Sequence, residues 1–394
     1  MDRVEQAVIL AAGEGQRLRP FTASKPKVLI PIANKPILQY VVEALANNGI
    51  RNIVMVVGYK KEQVQDFFGS GERFDVQIDY VVQKHQLGSG HALKQAKGKL
   101  GNSFIVASGD NIIEPETIAE LVTAKPPSLL VKEQKDISKY GAVTVETGMV
   151  KDMVEKPSQA GERLVNTGIY LLSKEVFEFV ETENNLTSAL KQMIGQGYRI
   201  NAYETTATWL DVVYPWDILR INDIALRGIS PSIGGTIERG VSLKGLVSIG
   251  KGTIIRANSY LVGPVVIGKN CEIGPGALIL SSTSLGNSVV ISPSTEVRNS
   301  VIGDNVVIGS SSAIEDSIID KGCLIKGHFI ARSGEVEVRI EGEYHQVKIG
   351  AMLGEHCSID DGVVIYPGIL VGNRSRIKAM KVIQENIPDE ALVV

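Results

Sequence analysis

The sequence predicts two domains of different class: an α/β domain on a Rossmann-like, mostly parallel sheet, and behind it a parallel β-helix. Three observations predict this. From residue 1 to about 228, short apolar runs alternate with helix-like patterns. Beyond the loop at 228–235 (GISPSIGG), aliphatic residues recur every six positions. The chain's 394 residues, 44% hydrophobic and 22% charged, are ample for more than one buried core of ordinary globular composition.

In the first part the strand candidates are 7–10, 52–57, 76–82, 103–107 and 128–131. Helical patterns lie between them at 36–47, 91–97 and 116–122. In the first of these Ile37, Val41, Val42 and Leu45 recur at helical spacing. Such alternation reads as βαβ units around a mostly parallel sheet. A last helix at 215–226 precedes the glycine-rich loop, so the domains are expected at 1–228 and 235–385.

In the second part Ile249, Ile255, Leu261, Ile267, Ile273, Ile279, Leu285, Ile291 and Val297 form an unbroken series of six-residue steps. One five-residue step leads to Ile302, Ile308 and Ile314, and another to Ile319 and Ile325. A further unbroken series runs from Leu353 through Ile359, Ile365, Val371 and Ile377 to Ile383. Neither a helix nor a flat half-buried sheet has this period; a coil with one side per hexapeptide does. Gly250, Gly268, Gly274 and Gly286 are expected to let the chain turn the corners. The alternating EVEVRIE at 335–341 places a loop or hairpin at 334–346.

A net charge of -3 gives no electrostatic case for broad nucleic-acid or membrane binding, so any basic site must be local. Cys271, Cys323 and Cys357 are far apart and read as reduced thiols. The opening MDRVEQAVILAAG has no signal-peptide cleavage pattern, and no apolar run reaches membrane-spanning length. The expected location is the cytoplasm.

The first strand runs into the loop AAGEGQRLRPFTASKPKVL. Small residues after a buried strand (Leu10, Ala11, Ala12, Gly13, Gly15) let backbone N–H groups approach an anion. Arg17 follows at once and Lys27 ten residues on, while Pro20 and Pro26 stiffen the chain between them. The expectation is that Arg17 and Lys27 lie near one phosphate-binding mouth; Arg19 and Lys25 are more ambiguous. With its pattern GxGxRL…PK, the string resembles the signature of the nucleotidyltransferases that make nucleotide sugars. The resemblance covers about the first 225 residues. It implies that Arg17 and Lys27 are the catalytic cations, contacting the triphosphate and the sugar phosphate.

Later segments follow the same family in order. Gln83 to Ala92, QKHQLGSGHA, is similar to its base-reading segment, which implies nucleotide binding by Gln83, Gly88 and Ser89. A glutamine amide offers one donor and one acceptor, as uracil or thymine requires. The LGSGHA wording looks more like uridylyltransferases than thymidylyltransferases, and both UTP and dTTP stay open. Asp110 follows a strand and Asp211 stands far along the chain; either alone would read as a turn or cap residue. In the resembling enzymes both positions hold Mg²⁺, which accepts two carboxylates with phosphate oxygens and water. Gly141, Glu155, Lys156 and Asn166 match the acceptor-side motifs, which implies binding of the sugar 1-phosphate. The plainer reading of Glu155–Lys156 is a solvated hairpin ion pair.

A hexapeptide prism resembles the left-handed β-helix family, whose members commonly form trimers, so a homotrimer is expected. A nucleotidyltransferase fused to such a coil also resembles bifunctional enzymes that acetylate an aminosugar phosphate with acetyl-CoA. Their acetyltransferase site carries a His-Leu-x-Tyr-Val-Gly-Asp-like string, whereas residues 313–332 here read AIEDSIIDKGCLIKGHFIAR. His328, His345 and His356 are the histidines of this half. A trimerising or regulatory coil is the favoured expectation, with acetyl transfer and a non-catalytic scaffold as alternatives. Retention of Arg17, Lys27, Asp110 and Asp211 argues against the scaffold.

Overall fold

A computed structural model describes residues 4–134, 140–155 and 164–394, with only the backbone of Glu155. The chain divides into two compact units. The first takes the chain through Glu14, Lys25–Leu29 and Pro36–Asp211; the second takes Gly15–Ser24, Ile30–Lys35 and Val212–Val394. Among the described residues no helix is long and apolar enough to cross a membrane.

The first unit is built on a nine-stranded sheet in the order Gln77–Val82, Asn52–Val57, Gln6–Ala11, Ser103–Ser108, Leu164–Ser173, Ser128–Glu133, Asn201–Glu204, Met149–Glu155, Gly141–Glu146. The first four strands are mutually parallel, as the βαβ reading requires. From Leu164–Ser173 onward the sheet is mixed, because that strand runs antiparallel to both its main neighbours. The expectation of a mostly parallel sheet thus holds for the first half alone. Leu164–Ser173 takes its direction from its partners; only the far edge has a local cause, where Thr147 and Gly148, both at positive φ, close a tight hairpin between Gly141–Glu146 and Met149–Glu155. A two-residue turn of this kind joins strands antiparallel without a crossover helix.

The continuous apolar runs follow from burial on both faces. Ala7, Ile9 and Ala11 enter one core cluster with Ile53, Met55 and Val57; Val8, Val54 and Val56 enter the cluster on the opposite face. Helix Ile37–Asn47 buries Leu38, Val41, Val42 and Leu45 against the first cluster. It stops at Asn48, whose Nδ2 donates to the Ala44 carbonyl at 2.9 Å, and at Gly49 in the left-handed region.

The second unit winds into three parallel sheets of eight, nine and eight strands. Ile249 pairs with Ile267 and Ile267 with Leu285, so three hexapeptides complete one coil. Where the sequence takes five-residue steps the register shortens by one, Leu285 to Ile302 to Ile319, and stacking is preserved. The inward aliphatics form one core from Ile249 to Ile383. The expected corner glycines have a different task. The left-handed corner positions belong to residues such as Gly252, Asn270 and Ser288. Gly250 and Gly268 instead permit coil-on-coil contact, since a Cβ on either would lie 2.5 Å or less from the next coil's backbone. The hairpin is real and slightly longer than expected, Gly334–Ile340 paired antiparallel with Glu343–Ile349.

Helix Pro215–Arg227 also belongs to this unit. Its fully buried Asn222 accepts from the Ala33 N–H (2.9 Å) and Ser284 Oγ (2.6 Å) and donates to the Ser282 carbonyl (3.1 Å). A buried amide so satisfied fixes the segment Ile30–Lys35 and the helix to the same coil.

Candidate active site

In the first unit three residues far apart in sequence meet. Lys27 Nζ donates to Asp110 Oδ2 at 2.6 Å and to Asp211 Oδ1 at 3.3 Å. Asp110 is delivered by the C-terminal end of Ser103–Ser108, the edge of an α/β sheet where ligands bind. Gly109 makes this possible: its N–H bonds the Leu10 carbonyl at 2.9 Å, and a Cβ there would stand 3.0 Å from the Ala11 Cβ. Asp211 closes the short strand Trp209–Asp211, which pairs antiparallel with Asn111–Ile113. Trp209 anchors that strand through Nε1 to the Thr167 carbonyl (3.0 Å) and an edge contact with Tyr140 at 5.3 Å.

The electrostatics follow from this geometry. The Lys27 side chain is only 14% exposed. Burial disfavours its charge, yet Asp110 and then Asp211 outweigh that cost and hold the ammonium above the ordinary lysine range. One cation among two anions leaves the cluster with a net negative charge, suited to a further cation. Among the described residues no group of three or more His, Cys, Asp or Glu could hold a metal. The donors do fit Mg²⁺: two carboxylates converge on one atom, and phosphate oxygens and water would complete its shell. Asn111, directly opposite Asp211, adds a buried Oδ1 that has no hydrogen-bond partner among the described residues.

Around the glycine loop, Leu10 and Ala12 use their carbonyls internally, Ala12 toward the Tyr59 N–H at 3.1 Å. A Cβ built on Gly13 meets nothing within 4 Å, so the backbone there is open to a ligand. Gln83 is buried; its Nε2 donates to the Gly88 carbonyl (3.1 Å) and faces His91 Nδ1 at 2.9 Å. Because a carbonyl only accepts, the amide orientation is set and His91 Nδ1 must be the acceptor. His91 therefore holds the Gln83 amide in place, a contact the motif reading did not single out. Gly88 is required for packing, since a Cβ would stand 2.5 Å from the Asn184 carbonyl oxygen. Ser89 Oγ accepts the Leu186 N–H at 3.0 Å, so both residues place the helix Ser89–Gln95.

On the acceptor side Gly141 and Glu155 are directly opposed in their antiparallel pair. Asn166 accepts the Gly168 N–H at 2.9 Å and donates to Tyr170 Oη at 2.8 Å. Lys156 lies outside the described residues.

Three members of the signature, Gly15, Arg17 and Leu18, belong to the second unit. Gly15, in the left-handed region, accepts from Thr22 Oγ1 at 2.8 Å through its carbonyl. Arg17 Nε donates to Glu341 Oε2 at 2.6 Å. Arg17 and Lys27, expected at one mouth, are thus described in different units, Arg17 paired with Glu341 and Lys27 with Asp110 and Asp211. Ser24 Oγ bonds Glu355 Oε2 (2.6 Å), and Asn373 Nδ2 bonds the Pro20 carbonyl (3.3 Å). His328 and His356 occupy left-handed positions of the coil, and His345 packs on Tyr214 at 4.4 Å between ring centres.

Residues 6–227 match the Nucleotidyl transferase family, and the chain belongs to it. It is an enzyme of the nucleotidyltransferase type, with the matching domain followed by a left-handed β-helix. Residues 246–281 match Bacterial transferase hexapeptide (six repeats), and 266–339 match GlmU-like, C-terminal hexapeptide. The chain is similar to the "Bifunctional protein GlmU" of Methanococcus vannielii, 34% identical over 408 residues, covering 98% of this chain and 97% of that one. It is also similar to the "Bifunctional sugar-1-phosphate nucleotidylyltransferase/acetyltransferase" of Sulfurisphaera tokodaii, 31% identical over 401 residues, covering 97% and 98%. Among solved structures, a UDP-glucose pyrophosphorylase complexed with UDP-glucose matches with TM-score 0.52 and 25% identity, over 57% of this chain and 100% of that one.

Proposed function

We propose that the enzyme joins UTP or dTTP to a hexose or N-acetylhexosamine 1-phosphate, forming a nucleotide sugar and pyrophosphate. The observation that carries this is Lys27 held between Asp110 and Asp211 at the ligand edge of the sheet. The sugar-phosphate oxygen is already an anionic nucleophile, so no general base is needed. It attacks the α-phosphorus in line; a P–O bond forms as the bond to the departing pyrophosphate breaks. Asp110 and Asp211 would hold Mg²⁺, which when bound supplies charge neutralisation for the triphosphate. Lys27 and Arg17 contribute cationic charge to the phosphates, and the open backbone at Gly13 contributes an N–H donor. Gln83, held through Nε2 by Gly88 and His91, turns its Oε1 to the N–H of the pyrimidine edge. Gly141, Glu155, Lys156 and Asn166 take the sugar phosphate.

In this reading residues 1–228 are the catalytic domain, residues 235–385 assemble a homotrimer, and the protein works in the cytoplasm. The test is pyrophosphate release with Mg²⁺, crossing UTP and dTTP against glucose and N-acetylglucosamine 1-phosphates. Turnover in at least one pair supports the reading, and silence in every pair together with no binding of UTP refutes it.

The match of residues 266–339 to the GlmU-like C-terminal hexapeptide favours a second reading, in which the coil also acetylates an aminosugar phosphate. Release of free coenzyme A from acetyl-CoA and glucosamine 1-phosphate would support it. No release would leave the coil an assembly element.

A further inference from the structure

The geometry points to Glu341, at the tip of the β-helix hairpin, as an internal stand-in for phosphate that occupies Arg17 and competes with the nucleoside triphosphate. The inference rests on the role proposed above for Arg17. A carboxylate and a phosphate seek the same guanidinium fork with the same charge-assisted hydrogen bonds. Glu341 Oε2 sits 2.6 Å from Arg17 Nε, and the Arg17 side chain also lies 6.0 Å over the Tyr214 ring. While that bridge is closed, Arg17 has part of its fork engaged by an anion of the protein's own.

The hairpin is built to present this one side chain. Glu341 and Gly342 are the two turn residues between Ile340 and Glu343, with φ of 50° and 89°. The first such position usually goes to Asn, Asp or Gly, and a glutamate there accepts backbone strain. The stem is seated firmly. His345 packs 4.4 Å from Tyr214 and 5.2 Å from Trp216, and the stacked Tyr214 and Trp216 rings are themselves 4.9 Å apart. Glu343 Oε2 reaches Tyr214 Oη at 3.5 Å. The tip therefore has little freedom to leave except by rotation of the Glu341 side chain.

The bridge is closed but weakly held. The Arg17 and Glu341 side chains are 37% and 49% exposed, and an exposed pair contributes little and is screened by salt. Its competition with triphosphate should amount to no more than about fivefold in affinity. That makes Glu341 a tuning element that sets the nucleotide concentration at which Arg17 is released.

The experiment is calorimetric titration of the full-length protein with UTP, for wild type, Glu341→Gln, Glu341→Gly and the stem control Glu337→Gln. Both Glu341 variants should bind UTP about two- to fivefold more tightly at low salt, and the gain should shrink as salt rises. Glu337→Gln should bind as wild type does. Glu341→Gly relaxes the turn as well as removing the charge, so agreement between the two variants excludes a turn defect. Unchanged or weaker binding in both variants, with wild type binding normally, overturns this inference and leaves the proposed function intact. If wild type binds no UTP, the same titrations are run with dTTP, and a wild type that binds neither nucleotide overturns both.

Discussion

The coil and the carboxylate–lysine site solve opposite problems with the same chain. The coil repeats one short solution many times, so each inward aliphatic from Ile249 to Ile383 is supported by a like residue one coil before or after. The site is assembled once, where Lys27 Nζ lies 2.6 Å from Asp110 Oδ2 and 3.3 Å from Asp211 Oδ1. A repeated structure loses stability when one member is cut; a site assembled once loses chemistry.

Substitutions can sharpen that contrast. The largest effect is expected at the site: Lys27→Ala or Asp110→Ala should lower kcat/KM by about 10²–10⁴-fold, measured as pyrophosphate release, with the fold retained by circular dichroism. Next comes the coil, where Ile291→Ala should cost about 2–5 kcal/mol in a guanidinium melt and change kcat/KM far less. Asn222→Ala should follow at about 1–3 kcal/mol, because it strands the Ala33 N–H and the Ser284 hydroxyl in a buried place.

The smallest effect is a pH dependence. Burial raises the Glu355 pKa, but Ser24 and Lys321 together hold it below its ordinary value. A depressed carboxylate contributes stability above its unfolded pKa, and that contribution is lost as pH falls through the folded value. The wild-type melting temperature should therefore drop below about pH 4.5 more steeply than that of Glu355→Gln. Lys27 behaves oppositely: its raised pKa keeps it charged up to and beyond the ordinary lysine value, so an alkaline limb near neutral pH would belong to another group.

How much of this was legible in sequence follows the same contrast. A six-residue period cannot arise from a helix or a half-buried sheet, and every aliphatic it singled out is in the core. The five strand runs and the helix at 36–47 were likewise visible from their own patterns. The mixed half of the sheet was not, because Leu164–Ser173 takes its antiparallel place from its partners rather than from any local signal. At the site, Lys27, Asp110 and Asp211 were named through their motifs, and the structure brings them together. Periodicity contains nothing about a meeting of residues 27, 110 and 211. Gly88 and Ser89, read as nucleotide contacts, have close packing and a helix-placing hydrogen bond as their visible roles. The bridge between Arg17 and Glu341 spans 324 positions and leaves no trace in local sequence.

The most direct test of the central claim is pyrophosphate release from UTP with sugar 1-phosphates by wild type and by Asp211→Asn, which keeps size and removes one charge. The account predicts turnover in wild type and a loss of at least about 10²-fold in the variant, with melting temperature nearly unchanged. Equal turnover in the two proteins would contradict it.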